Sequence, residues 1–232
     1  MLEPGRFNRY DAYKVAALIG MTVNHLGHYL WPEILILRIV GLGAPLFAFL
    51  VGWNHSYRFR SVLLIAAIVM SAVQWGLGLA TGQLNILWAI LAARLILIAF
   101  EKHARPSEEW LLVAVALVAW LPLVPAMEYG SLVLVWALWG RAARMNPESI
   151  KTRAYAMLGS LSFMVCMMLS LPMDHGEIIA QSIMTFAMWF GLRHFHACTI
   201  TRDYPLLRFW SRHALSYYVL HRSLLMAMAV LR

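Results

Sequence analysis

The chain is short of charge. Only 13% of its 232 residues are Asp, Glu, Lys or Arg, roughly half the share of an ordinary soluble domain. That shortage excludes a conventional water-soluble globule, because too few polar side chains exist to cover a folded surface. Cysteine is almost missing. Cys166 sits in an apolar run and Cys198 in a polar segment, so no disulfide framework and no cysteine-based metal site is predicted. Low-complexity stretches and internal repeats are lacking too. The opening residues MLEPGRFNRY contain no apolar core of a leader and no small-residue cleavage site follows, so the first helix is expected to be retained.

What the chain has in abundance is apolar residues, 62% of the total, with a mean hydropathy of +0.67. They fall in runs at 11–30, 34–53, 61–80, 84–100, 110–125, 127–142, 154–171, 177–192 and 213–231. Such runs suit a hydrocarbon core of roughly 30 Å. The pattern predicts an all-α fold, a polytopic transmembrane helix bundle of about nine spans, as a single integral membrane domain over 1–232. The net charge of +8 follows the same logic. With a cytoplasmic N-terminus, 15 of the 19 Lys and Arg fall at inner rims or loops, Arg38, Arg94 and Arg222 lie within spans, and only Arg232 ends outside. This is the positive-inside pattern. Lipid is therefore the expected surrounding, and no nucleic-acid partner is predicted. The segment RHFHACTITRDYPLLRFWSR (193–212) is too polar to cross, and its LLRFW part suits the inner headgroup region.

Polar chemistry inside the spans points to function, since ionisable groups in lipid are costly unless they face a protein interior or a wet cavity. His25 and His28 share one face of the first run, with Asp11 and Lys14 nearer its start. At 1.5 Å per residue His25 lies roughly 21 Å beyond Asp11, and His221 lies roughly 12 Å beyond His213 near mid-membrane. A neutral imidazole in such a place can accept a proton from an attacking amine or hydroxyl. Asn24 is a candidate orienting group, and Arg94 a candidate grip on a phosphate. Two rival readings of the same residues stand beside this one. The histidines could be axial ligands of a b-type haem, His25 or His28 with His221, or the buried charges could line the pathway of a small transporter or assembly partner.

Several stretches carry a family resemblance. Asp11-x-x-Lys14, Asn24-His25 and the run Leu37-Arg38-Ile39-Val40-Gly41-Leu42-Gly43-Ala44-Pro45-Leu46-Phe47-Ala48-Phe49-Leu50 resemble the TraX family, the F-pilin acetylation proteins. Leu84-Asn85-Ile86-Leu87, Glu128-Tyr129-Gly130 and Tyr217-Tyr218-Val219-Leu220-His221 are similar to its later landmarks, in the same order. The family's Asp-His pair is Asn24-His25 here, and Leu42 and Ala44 stand where it has Arg and Phe. TraX proteins are similar to wider groups of membrane acyltransferases, the acyltransferase 3 and heparan-glucosaminide acetyltransferase families. The resemblance implies transfer of an acetyl group from cytoplasmic acetyl-CoA to an amine or hydroxyl, on a pilin N-terminus, a glycan or a small molecule, in a bacterial inner membrane. It implies His25 as the general base and needs no metal. Asn24, Arg38 and His221 are the further expected catalytic residues, with Arg38, Asn85 or His221 steadying the oxyanion. Lys14, Arg58, Arg60, Arg94 and Asn85 are the expected donor-binding residues.

Overall fold

The computed structural model describes residues 7–54, 61–79, 84–103, 108–123, 126–195 and 204–232. Asn8 starts the first helix: its side chain accepts from the Asp11 amide at 3.0 Å, and the Asp11 carboxylate accepts from the Asn8 amide at 3.3 Å. This reciprocal cap satisfies donors that a helix start leaves open. Asp174 and Glu177 build the same box further on, and Ser149 caps with its hydroxyl alone. Between and beyond these caps run α1 (Arg9–Tyr29), α2 (Leu35–Ile39), α3 (Gly43–Trp53), α4 (Ser61–Gly76), α5 (Ile86–His103), α6 (Glu109–Leu123), α7 (Leu132–Met145), α8 (Ile150–Ser170), α9 (His175–Arg193), α10 (Pro205–Arg212) and α11 (Ala214–Leu231). Every element among the described residues is helical, so the fold is all-α.

Each expected apolar run holds a helix, yet among the described residues only three stretches are long and apolar enough by themselves to cross a membrane. They are Leu35–Trp53, Ile150–Ser170 and Ala214–Leu231, fewer than the nine spans expected. The reason is compositional: α4, α6 and α7 are short, at 16, 15 and 14 residues, while α1, α5 and α9 are long but carry polar side chains. The run 34–53 is also broken, since α2 ends at Ile39 and α3 begins at Gly43. Gly41 permits the break to press on α1, because a Cβ there would lie 2.3 Å from Asn24 Cβ. Irregular backbone at membrane depth is tolerated where it lines a cavity, and Gly41 lines one.

α7 forms the buried axis. Its residues Leu132 to Trp139 are all buried, with Trp136 and Trp139 wholly enclosed. It packs on α3, α5, α6 and α8, while α1 packs on α2, α3, α10 and α11. α1 and α11 run in the same direction: Ser211 donates to Asp11 at one end, and Arg232 donates to the Leu30 carbonyl at the other. At the Tyr10 end, Arg141 joins Glu101 at 2.8 Å and Glu109 at 3.2 Å, and Lys151 also pairs with Glu109, tying α5 to α8. Large apolar side chains such as Val62, Trp75, Leu111, Val118, Phe186 and Leu220 face outward, a surface suited to lipid.

The α3–α7 contact is backbone against backbone. A Cβ on Gly52 would fall 1.7 Å from the Ala137 carbonyl oxygen, and one on Gly140 1.9 Å from that of Phe49. Small residues let helices approach this closely in membranes. Gly52→Val and Gly140→Val are each expected to destabilise the bundle by about 1–3 kcal/mol or more. Thermal unfolding in detergent checks this, and unchanged midpoints would contradict the packing.

Candidate functional site

His25 of α1 and His221 of α11 meet in the interior, each 9% exposed. The rings stack at 5.1 Å between centroids, and Nδ1 of His25 lies 3.0 Å from Nε2 of His221. On its other side, Nδ1 of His221 lies 2.8 Å from the Tyr217 carbonyl oxygen, one turn earlier. A carbonyl only accepts, so Nδ1 of His221 carries the proton. Nε2 of the neutral ring is then an acceptor, and His25 donates to it from Nδ1. Nε2 of His25 is left with its lone pair, and the ring has no other hydrogen-bond partner among the described residues. Tyr217 also holds His221 by ring stacking at 4.9 Å, while its hydroxyl lies 3.2 Å from that of Thr22.

Arg222 is the neighbour of His221 and is engaged elsewhere. Its side chain is 3% exposed and pairs with both oxygens of Glu128, from the turn before α7. It also donates to the Tyr29 hydroxyl at 3.3 Å and to the phenol of Tyr218. The Glu128 carboxylate takes the Ile86 amide as well, at 3.0 Å. A buried pair satisfied in this manner ties α11, α1 and the start of α5 together.

Two cavities lie toward opposite ends of α1, the first of them lined by His25. The first, about 260 Å³, opens at the Tyr29 end and is lined by Asn24, His25, His28, Arg38, Glu128 and Arg222, among others. The second, about 350 Å³, lies toward the Tyr10 end, with Lys14, Arg94 and Arg212 among its lining. The rest of its wall is mostly apolar, including Phe47, Leu50, Leu87 and Ile90, and Tyr218 closes its depth. Met21 and Ile86 line both cavities, so these two side chains stand between the spaces.

The expected residues divide accordingly. His25 and His221 come together, with Asn24 and Arg38 on the first cavity. Asn24 does not orient the imidazole; its side-chain amide donates to the Arg38 carbonyl at 3.0 Å and pins the end of α2. Lys14 and Arg94 line the second cavity. Arg58 and Arg60 lie outside the described residues. Asn85 lies apart from both cavities. Its side-chain carbonyl accepts the Leu87 amide at 3.1 Å, at the start of α5, and its NH₂ donates to the Ser71 hydroxyl of α4 at 3.3 Å. In this arrangement His25 and His221 bond to each other, with ring nitrogens 3.0 Å apart, and do not stand as a pair of axial ligands.

Glu128, Tyr218 and Arg212 escape a reading by span, because each gains its place from a distant helix. A partial signal exists: Arg222 inside one apolar run needs an acid at the same depth, and Glu128 is the acid in the short turn before α7. Tyr129, in that turn, takes a positive φ of 60°, a backbone region that costs a non-glycine residue energy.

No protein-family model matches the chain. No solved structure matches it either. An uncharacterized protein of Rickettsia prowazekii (strain Madrid E) is 26% identical over 154 residues, 65% of this chain. The match spans 62% of that protein's length, so the chain is similar to part of a Rickettsia protein that itself carries no assigned activity.

Proposed function

We propose that the chain is a membrane-embedded acyltransferase that moves an acetyl group from cytoplasmic acetyl-CoA to an amine or hydroxyl acceptor. The observation that carries this reading is the free Nε2 of His25, whose ring is held by a directed chain of hydrogen bonds on the wall of the first cavity, which shares Met21 and Ile86 with the second. The TraX resemblance around Asp11, Lys14, His25 and Arg38 supports it, and with it a bacterial inner membrane. In that setting the nine apolar runs cross in alternation, the short ones shielded by their neighbours, and the Tyr10 end faces the cytoplasm.

The chemistry follows from the placement of groups. Lys14, Arg94 and Arg212 hold the phosphates of the donor at the inner mouth, and the apolar wall guides the thioester arm toward Met21 and Ile86. The acceptor enters the outer cavity with its amine or hydroxyl at His25. Nε2 takes the acceptor proton as the new C–N or C–O bond forms and the thioester C–S bond breaks. That proton then passes to the leaving thiolate, giving free CoA thiol. The Tyr218 phenol, whose oxygen already accepts from Arg222, directs its own proton to the developing oxyanion at the end of the donor cavity. His221 acts through His25, by keeping the proton on Nδ1 of that ring.

Purified protein with labelled acetyl-CoA and a total membrane extract is expected to yield one labelled acceptor. Two opposed cavities would also serve a carrier; solute flux across vesicles with no loss of acetyl-CoA would favour that reading and overturn this one.

A further inference from the structure

The outer cavity holds an imbalance of charge. Two guanidinium groups, Arg38 and Arg222, and one carboxylate, Glu128, line it, and the carboxylate is committed to Arg222 through both oxygens. Arg38 is therefore a half-buried cation with no ion-pair partner among the described residues. His28, on the same wall, adds no negative charge. An unneutralised guanidinium in a partly closed site is costly, yet its position is closely constrained. A Cβ on Gly27 would come within 3.1 Å of Arg38 Cγ, so the missing side chain lets the Arg38 stem lie against α1. Asn24 pins the Arg38 carbonyl at 3.0 Å, and the strained turn at Tyr129 closes the cavity from the facing side.

We infer that the outer cavity is an anion subsite, in which Arg38 grips a phosphate or carboxylate on the molecule whose amine or hydroxyl is presented to His25. A guanidinium fork matches either anion with two parallel hydrogen bonds, and Glu128, already neutralised, leaves room for one negative charge. The acceptor is thus an anionic amine or alcohol, not a neutral one. The acceptor part of this inference rests on the acyltransferase reading; the anion site itself does not.

Binding of inorganic phosphate to the purified protein, followed by thermal shift in a neutral detergent, tests the site without any acetyl-CoA. Arg38→Gln is expected to weaken phosphate binding about tenfold or more, and Arg38→Lys to retain part of it. Arg94→Gln, at the opposite mouth, separates binding in the donor cavity and should leave the Arg38-dependent component intact. Glucuronate in place of phosphate reports whether a carboxylate is accepted. Nanodiscs of phosphatidylcholine, with or without phosphatidic acid, distinguish the source: loss of phosphate binding only with phosphatidic acid assigns a lipid headgroup, and unchanged binding assigns a soluble anion. Either result upholds the subsite. Phosphate and glucuronate affinities that Arg38→Gln leaves unchanged, in protein with a normal unfolding midpoint, overturn it. Arg38-dependent binding in a protein that transfers no acetyl group would retain the anion site and remove only the transferase reading.

Discussion

Replacing His25 by alanine is expected to lower acetyl transfer between about 10²- and 10⁴-fold while the protein remains folded, the range that a positioned general base supplies. The ring is buried but makes a single side-chain hydrogen bond, to His221, so its removal leaves His221 still bonded to the Tyr217 carbonyl. The variant in reconstituted vesicles with labelled acetyl-CoA gives the measurement. Product formation equal to that of the parent protein would refute the role. His221→Phe separates positioning from chemistry. It keeps a ring against Tyr217 but removes the acceptor for Nδ1 of His25, which frees the imidazole to turn and change tautomer. Its expected signature is a lower kcat with KM for acetyl-CoA unchanged, since His221 lines neither cavity. A purely structural role would instead show as a lower unfolding midpoint without that split.

The second large effect is on stability. Arg222→Gln strands the Glu128 carboxylate, and Glu128→Gln strands a guanidinium that is 3% exposed. Leaving the enclosed Arg222 guanidinium unpaired is expected to cost about 3–5 kcal/mol, because that charge remains where water cannot reach it. Arg222→Gln is expected to cost less, because the Glu128 side chain is 26% exposed. Removing both charges together, as Arg222→Met with Glu128→Leu, is expected to recover a large part of that loss, and the recovery measures the coupling. Tyr29 and Tyr218 each lose a donor in the process, so recovery is incomplete. Unfolding midpoints of the single variants equal to that of the parent would show that the pair carries no such weight. The double variant also tests Tyr218 as oxyanion donor. Without Arg222 its phenol is a weaker donor, and transfer should fall even where the fold survives.

How far the sequence reaches can be judged residue by residue. The helices are legible because apolar runs and caps are local: Asn8 with Asp11 and Asp174 with Glu177 are each three residues apart. His25 and His221 are legible as functional candidates because an imidazole in an apolar run is costly wherever it points. The hydrogen bonds of Asn85 are not legible in the same manner. A buried amide looks like a ligand, but the start of α5 exposes backbone donors, and a short polar side chain satisfies them more cheaply than any substrate does. Arg38 and Arg222 look alike in sequence, each a single arginine in an apolar stretch, and their surroundings differ completely.

By itself, then, the sequence determined the class of fold, the excess of positive charge on one set of loops, and the short list of polar groups that must be sheltered. Those follow from residue type and spacing along the chain. The tertiary structure alone decided that Nδ1 of His25 meets Nε2 of a histidine 196 positions away, that Glu128 neutralises Arg222 and leaves Arg38 without a counter-charge among the described residues, and that two cavities meet at Met21 and Ile86. Each of these depends on how far every helix is turned about its own axis. Hydropathy does not encode that angle; close packing, such as Gly52 on Ala137 and Gly41 on Asn24, sets it.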